Sequence, residues 1–319
     1  MRKLACTVAL AVSVVASASQ SAWPQSAATI KIVVPYPAGG VGDTLARLLA
    51  EQIGQTQGPM LIVENRPGGN TVIGTEAAAR AAPDGNTALL TTNTLVVNPQ
   101  MRKVNYDALA DFEPICLLTR MPMVIAVNSA SPYLTLADLI GAARAKPGDV
   151  TLASTPGSII QIAFEMLTHA AGVNMTFVPY QGDAPAVNAL LGGHVTSVFF
   201  GYPAVAAQVN AGKLRVLATA SRTRIEPLPE VPTIAESGYK DIEADVWFGL
   251  FAPAKTPKER LAQLTGRFTA ALQAPEIKSR LGDLDHEPVG LCGSDFGAMV
   301  RKEYDKYGRV IREANIKAE

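Results

Sequence analysis

Short β-branched runs alternate with segments of helical spacing along most of this chain, and this alternation constrains the fold more than any other feature. The run Ile30–Val34 precedes a pattern in which Leu45, Leu48, Leu49 and Ile53 recur at helical spacing. Similar strand–helix pairs follow over residues 60–82, 123–146, 150–171 and 176–191. Strands and helices that alternate at these lengths are joined by right-handed crossovers. The sequence therefore predicts the α/β class, with mainly parallel sheets.

The length of 319 residues suits two domains rather than one. Beyond about residue 250 the pattern becomes mostly helical, which is too little material for a third domain, so we expect this part to pack back onto the first lobe. Two lobes joined by two hinge crossings, near residues 120–125 and 249–253, follow from this arrangement. The predicted first lobe comprises residues 28–122 plus 252–319, and the second lobe comprises residues 123–251.

The N-terminus has the pattern of an export signal. Arg2 and Lys3 precede an apolar stretch, residues 4–15, and small residues follow. The apolar stretch is too short for a membrane span, which needs about 20 apolar residues. We expect residues 1–27 to act as a signal peptide that is cleaved between residues 18 and 27, after Ala18, Ala22 or Ala27.

Composition argues against several classes of function. The 28 basic and 28 acidic residues balance, so no basic surplus points to nucleic acid or to an anionic membrane surface. The three histidines, His169, His194 and His286, belong to no catalytic motif, and we expect them to be surface or turn residues. We find no metal-ligand cluster. The sequence predicts no cofactor and no enzyme, although distant residues can assemble a catalytic triad.

Two cysteines remain after removal of the signal, Cys116 and Cys292, and both lie in short apolar segments that are typical of strands. In an oxidising compartment they could form a disulfide. Two separate buried thiols are the alternative, and sequence alone does not decide between them.

The first candidate binding loop follows the first strand and opens a helix. Its glycines let backbone N–H groups approach a ligand, and the helix N-terminus favours an anion such as a carboxylate. A dinucleotide fingerprint fails here because Leu45 occupies the third glycine position. A simple tight turn is the alternative, and Asp43 either caps its helix or accepts a hydrogen bond from the ligand. The candidate residues in this loop are Tyr36, Ala38, Gly39, Gly40, Asp43 and Thr44.

Further candidate loops also end predicted strands, where open α/β sheets bind their ligands. They contribute Thr92, Asn93, Ser154, Gly157, Ser158, Gln161, Tyr180, Gly182 and Tyr202. The stretches that contain most of these loops, 32–46, 152–168, 177–188 and 196–207, have no Lys or Arg. An anionic ligand would therefore be held by N–H groups of Gly39, Gly40 and Gly157 and by hydroxyls of Thr44, Ser154 and Ser158. This favours one or two carboxylates over a polyphosphate.

Several of these stretches, taken in order, resemble one known family. They are Ile32–Gly40, Asp43–Arg47, Val63–Gly68, Ala79–Gly85, Val178–Tyr180, Leu190–Gly193, Ala211–Arg215, Val231–Gly238 and Gly249–Pro253. The chain resembles the Bug/TctC-type solute receptors of tripartite tricarboxylate transporters over essentially its whole mature length. Two departures concern the second half of the ligand: Gln181 stands where relatives often have a basic residue, and Ile159-Ile160-Gln161 replaces Thr-Pro-His.

The resemblance implies a two-lobed, periplasmic-binding-protein-like (Venus flytrap) fold that closes over a small organic acid, amino acid or aromatic acid. It also implies a monomer in the periplasm that delivers its ligand to membrane permease subunits. It places the ligand carboxylate between the loops 36–44 and 154–161, held partly through ordered water. The alternative functions are a receptor for a membrane signalling partner and, with less support, a secreted enzyme.

Overall fold

Two separate β-sheets organise the chain in the computed structural model, which describes residues 29–56, 58–180, 182–240 and 242–316. The predicted signal peptide and Gln181 lie outside the described residues. No helix within the described ranges is both long and apolar enough to cross a membrane.

The six-stranded sheet has the strand order β11-β4-β10-β3-β1-β2, and the five-stranded sheet has the order β7-β6-β8-β5-β9. The strands of the first sheet are β1 (Ile30–Val34), β2 (Leu61–Asn65), β3 (Thr87–Thr92), β4 (Phe112–Met121), β10 (Val246–Pro253) and β11 (Glu287–Cys292). The strands of the second sheet are β5 (Met123–Asn128), β6 (Thr151–Ser154), β7 (Thr176–Pro179), β8 (Ser197–Gly201) and β9 (Leu214–Thr219).

Helices connect and cover these strands, so the predicted α/β class is confirmed. They are α1 (Val41–Gln55), α2 (Val72–Ala79), α3 (Thr94–Met101), α4 (Leu136–Ala145), α5 (Ile159–Ala171), α6 (Asp183–Leu191), α7 (Tyr202–Asn210), α8 (Lys258–Gln273), α9 (Pro275–Gly282) and α10 (Gly293–Glu313). Helix α1 buries the apolar face that its spacing predicted. Helix α4 begins at a capping box formed by Thr135 and Asp138.

Both sheets are mixed rather than mainly parallel. The pairs β1–β2, β1–β3, β6–β7 and β6–β8 are parallel, as helical crossovers require. Strands β10, β4 and β11 pair antiparallel on one side of the first sheet, and β5 pairs antiparallel with β8 and β9. The difference arises where the chain passes between the sheets. It leaves the first sheet along β4, which leads into β5 of the second sheet, and it returns along β10, which lies beside β4 in the opposite direction.

The C-terminal helices pack largely on the first sheet. Phe296 of α10 lies with its ring centroid 5.8 Å from Trp247 and 5.0 Å from Phe251, both on β10. Helix α8 packs against α1 and β4. All of β10, from Val246 onward, pairs within the first sheet, so a lobe boundary at residue 251 would cut a strand. We therefore propose that the second crossing precedes Val246.

Cys116 and Cys292 face each other across the antiparallel pair of β4 and β11, and they form a disulfide. Of the two alternatives left open by the sequence, the structure has the bonded pair. Both cysteines belong to the first sheet, so opening and closing of the two sheets relative to each other leaves the bond intact.

Candidate functional site

Hydroxyl groups from three strand-end loops meet at the carboxyl edge of β1, β2 and β3. The Tyr36 hydroxyl donates to Thr92 Oγ1 at 2.9 Å, and Thr92 Oγ1 lies 3.2 Å from Thr94 Oγ1. Thr71, from the loop before α2, donates to Thr94 Oγ1 at 3.0 Å. Burial raises the pKa of the Tyr36 phenol, which keeps it a neutral hydrogen-bond donor. We call Tyr36, Thr71, Thr92 and Thr94 the hydroxyl cluster. Of its members, the sequence identified Tyr36 and Thr92.

Asp43 holds the first candidate loop from within helix α1. Its Oδ2 accepts from the Gly39 N–H at 2.8 Å and from Arg47 Nε at 3.0 Å, while Oδ1 accepts from Asn65 Nδ2 at 2.9 Å. The hydrogen bond from Arg47, aided by Gly39 and Asn65, lowers the pKa of Asp43 to about 2. The carboxylate bonds to the Gly39 N–H, which lies before the N-cap residue Gly40, and Gly40 has no side-chain cap. Asp43 therefore fastens the loop from within the helix and does not cap the helix.

The expectation that free N–H groups of this loop bind the ligand is corrected by these contacts. The Gly39 N–H is occupied by Asp43, and the Gly40 N–H donates to the Pro37 carbonyl at 3.3 Å. Ala38 and Gly39 are exposed, whereas Gly40 and Thr44 are half-buried.

We expect Asp43→Asn to lower the free energy of unfolding by about 1–2 kcal/mol, because an amide offers only one acceptor oxygen to three donors. Asp43 binds its proton more weakly in the folded chain, so its stabilising effect is present above its ordinary pKa near 3.8 and is lost as pH falls towards about 2. Urea denaturation at pH 7 and pH 3 measures both effects.

Arg47→Gln is the matched control for this prediction. The Arg47 side chain is 56% exposed, so solvent screens its ion pair with Asp43 and the pair contributes little to stability. A loss in Arg47→Gln as large as that in Asp43→Asn would show that the ion pair, rather than the loop contact, carries the effect.

The loop between β6 and α5 repeats this arrangement in the second sheet. The Gly157 N–H donates to Gln161 Oε1 at 2.7 Å, four residues ahead, as Gly39 does to Asp43. Both glycines have a positive φ, +81° at Gly39 and +65° at Gly157, in the left-handed region that favours glycine. The Gly157 N–H is therefore also occupied within its own loop, which differs from the expectation of a free ligand-binding group.

The two serines of this loop are also engaged. Ser154 is fully buried, and its hydroxyl donates to the Phe199 carbonyl at 2.8 Å, so it ties β6 to β8. The Ser158 hydroxyl donates to the Thr155 carbonyl at 2.7 Å. A hydroxyl can still accept a second hydrogen bond. Ser158 is half-buried, so this capacity is relevant there and not at the enclosed Ser154.

Asn93 serves the connection between the sheets rather than a binding loop, which corrects its predicted role. Its side-chain amide donates to the Asp245 carbonyl at 3.3 Å and to Glu303 Oε2 at 3.4 Å. Its Oδ1 accepts from the Trp247 N–H at 3.2 Å. Asn93 is only 2% exposed. No local pattern in the sequence indicates this role, since the partners of Asn93 lie at least 150 residues away.

The remaining candidates lie at strand ends of the second sheet. Tyr180 and Gly182 are half-buried on either side of the undescribed Gln181. Tyr202 is 3% exposed, begins α7, and donates its backbone N–H to the Pro122 carbonyl at 2.9 Å. Tyr202 therefore lies at the crossing between β4 and β5.

The loop before α2 was predicted as a loop, but it was not among the candidate binding loops. Asn70 and Thr71 have positive φ values of +52° and +76°, and a β-branched residue rarely adopts this conformation. Asn98 of α3, fully buried, holds the loop by donating to the Asn70 carbonyl at 2.7 Å and to Thr71 Oγ1 at 3.2 Å. Strain that neighbours enforce is common at binding sites. The signal available was the run Gly68-Gly69-Asn70 after a strand.

A large cavity of about 1460 Å³ lies elsewhere, between α5, residues 238–240 and 242–243, and α10. Its charged lining residues have both signs, and none of the predicted binding loops reaches it. The strand-end loops, by contrast, lie beyond the carboxyl ends of strands, where ligands of open α/β sheets bind.

Comparison with known proteins agrees with this geometry. The family model described as the tripartite tricarboxylate transporter family receptor matches residues 45–316. Protein BugT of Bordetella pertussis is 33% identical over 305 residues, which cover 94% of this chain and 94% of BugT.

Solved structures show the same relationship. A TctC solute binding protein from Polaromonas has a TM-score of 0.82 at 29% identity, covering 91% of this chain and 99% of that protein. A protein of R. palustris solved with adipate has a TM-score of 0.76 at 31% identity, and the match covers 92% of this chain and 99% of that protein. MatC from Rhodopseudomonas palustris, with bound malate, has a TM-score of 0.71 at 27% identity, and the match covers 89% of this chain and 98% of MatC. The chain therefore belongs to the tripartite tricarboxylate transporter receptor family and has the two-lobed fold of periplasmic binding proteins.

Proposed function

We propose that this protein is a periplasmic receptor that binds a small organic acid between its two lobes and delivers it to membrane permease subunits. The observation that carries the proposal is the meeting of strand-end loops from β1, β2 and β3 in a hydroxyl cluster. The adipate and malate bound to two relatives support a carboxylate as the ligand. Residues 1–27 would direct export and be removed.

The proposed lobes are residues 28–122 with the segment from about 246 to 319, and residues 123 to about 245. Ligand contacts made by both lobes would favour the closed form, since a ligand shifts an equilibrium only through its different affinity for the two states. From the first lobe we propose Tyr36, Ala38, Gly39, Gly40, Thr44 and Thr92 as the ligand side. From the second lobe we propose Gly157, Ser158, Gln161, Tyr180 and Gly182.

We infer that the chain is a receptor and not an enzyme. His286, which we expected to be a surface or turn residue, is 4% exposed, and its Nδ1 lies 3.0 Å from Thr119 Oγ1. Burial lowers the pKa of His286 to about 4, so the ring is neutral at pH 7. The pair is covered by Phe248, 5.4 Å away between ring centroids, and is a poor candidate for chemistry on a substrate.

A thermal-shift screen tests the proposal. The exported protein is heated with adipate, malate, citrate, glutamate and benzoate, each beside its uncharged amide as the control. At 100 times its Kd a ligand stabilises the folded state by about 2.7 kcal/mol. For a protein of this size that corresponds to roughly 5 °C in Tm. We expect at least one acid, and not its amide, to give this shift. No shift with any acid at millimolar concentration would overturn the proposal.

A further inference from the structure

Arg102 directly follows helix α3 and lies in the gap between the two sheets. A β-carbon built at Gly157 would be 3.7 Å from Arg102 Nη2 and 4.0 Å from Met101 Cε. Helix α3 follows β3 of the first sheet, whereas Gly157 belongs to the loop after β6 of the second sheet. The Arg102 guanidinium therefore faces, across the gap, one of the loops that we propose to bind the ligand.

The guanidinium of Arg102 lacks partners within the described ranges of the chain. Its Nε is buried and makes no hydrogen bond, and no ion pair joins its other nitrogens to a described carboxylate. Glu76, an acidic residue in the same region, is already engaged, since Oε1 accepts from Asn105 at 2.9 Å and Oε2 from Arg80 at 3.1 Å. Buried polar groups in folded proteins are almost always hydrogen-bonded. A guanidinium also keeps its charge at any pH that proteins tolerate. Arg102 is thus a permanent cation with unused donors.

The neighbouring loops supply no positive charge of their own to balance an anionic ligand. The N–H groups of Gly39 and Gly157, which could have bound an anion, are occupied by Asp43 and Gln161. The hydroxyl cluster offers only neutral donors. A planar guanidinium matches a carboxylate with two parallel hydrogen bonds, a geometry that a lysine does not reproduce.

Helix α3 connects both features. Thr94 of the hydroxyl cluster begins the helix, and Arg102 follows its last residue, so the two ends are roughly 12 Å apart at 1.5 Å per residue. Asn98, one turn before Arg102, fixes the loop that carries Thr71. The position of Arg102 relative to the hydroxyl cluster is therefore set by a single rigid element.

We propose that Arg102 binds a carboxylate of the ligand from the first lobe, opposite Gly157. This inference rests on the proposed function, and it adds a basic residue to a site whose loops contain no Lys or Arg. The ligand it selects is an organic acid with its carboxylate at the Arg102 end of α3.

Titration calorimetry with adipate and with malate tests the assignment. We expect Arg102→Gln to weaken binding about tenfold to a hundredfold, which corresponds to about 1.4–2.8 kcal/mol. Arg102→Lys should fall between Arg102→Gln and the wild type, because it keeps the charge and loses the planar fork. Lys103→Gln is the matched control, since it removes the same charge at the exposed neighbouring position and should leave the affinity unchanged.

The thermal stability of the ligand-free protein distinguishes a ligand-binding role from a structural one. We expect Arg102→Gln to melt at the same or a higher temperature than the wild type, because the guanidinium lacks a partner that the substitution could remove. A lower Tm in the absence of ligand would assign Arg102 to the fold and overturn the inference. Unchanged affinity in Arg102→Gln would overturn the inference alone. If the wild type binds neither acid, adipate and malate are excluded as ligands and the inference built on them is overturned. The thermal-shift panel of acids then decides whether the proposed function stands.

Discussion

Loss of the Cys116–Cys292 disulfide is expected to lower the free energy of unfolding by about 3–5 kcal/mol. The two cysteines are 176 residues apart in sequence, so the bond restricts more than half of the unfolded chain. The loss of that restriction raises the conformational entropy of the unfolded state. Urea denaturation of the exported protein, with and without a reducing agent, measures the difference.

The double variant Cys116→Ala with Cys292→Ala is the control for reduction. It should be as unstable as the reduced wild type, and the reducing agent should leave it unchanged. Thiol titration of the unfolded, unreduced mature protein should find no free thiol. Two free thiols would contradict the bond, and equal stability of oxidised and reduced protein would contradict its predicted contribution.

The bond also bears on how the protein opens and closes. It joins β11 to β4, and β4 leads directly into β5 of the second sheet. The disulfide therefore secures the C-terminal segment to the strand that enters the crossing. Reduction should consequently destabilise the first lobe without cutting either connection between the lobes.

The sequence predicted most strands and helices because their signals are local. Helix α1 buries a face that is visible in the spacing of its leucines, and the proline-glycine pair at 147–148 follows the end of α4. Helices α3 and α7 were not predicted. Pro99 lies within α3, where proline normally ends a helix, whereas Pro203 in the first turn of α7 is a residue that favours a helix start and was read as part of a loop. The antiparallel pairing was missed because it depends on contacts between distant segments.

For the candidate site, the sequence predicted which loops contribute but not which atoms of those loops are free to bind a ligand. Strand ends showed which loops meet, and Tyr36 and Thr92 do meet. The sequence did not show that Asp43 and Gln161 would occupy the glycine N–H groups of their loops. Arg102 escaped notice because it lies outside the loops, beyond a helix that was not predicted. Each of these facts depends on how a side chain packs in the folded chain.

Two half-buried carboxylates at the second crossing should make stability depend on pH. Glu303 Oε2 accepts from Trp247 Nε1 at 2.7 Å, and Asp245 Oδ1 accepts from the Ser221 hydroxyl at 2.5 Å. Burial raises the pKa of Glu303 to about 7 and that of Asp245 to about 6. The charged residues around them are Arg120, Lys306, Glu243 and Glu287.

The direction in which stability changes with pH follows from proton binding by these two carboxyl groups. Both groups hold a proton more tightly in the folded protein than in the unfolded chain, where a glutamate has a pKa near 4.5. Their stabilising effect is therefore complete at pH values below their ordinary pKa. It declines as pH rises, and it is lost once pH exceeds about 7. Each group contributes a slope of up to about 1.4 kcal/mol per pH unit within its own range.

We expect Glu303→Gln to flatten this dependence. The glutamine keeps an acceptor oxygen for the Trp247 indole N–H but has no proton to lose. Between pH 5 and pH 7.5 the wild type should lose on the order of 2 kcal/mol more than the variant, as measured by urea denaturation across that range. Glu313→Gln, at an exposed position of the same helix, is the control and should keep the wild-type slope. Parallel slopes in the wild type and Glu303→Gln would show that Glu303 is already ionised in the folded protein at pH 5, and the prediction would fail.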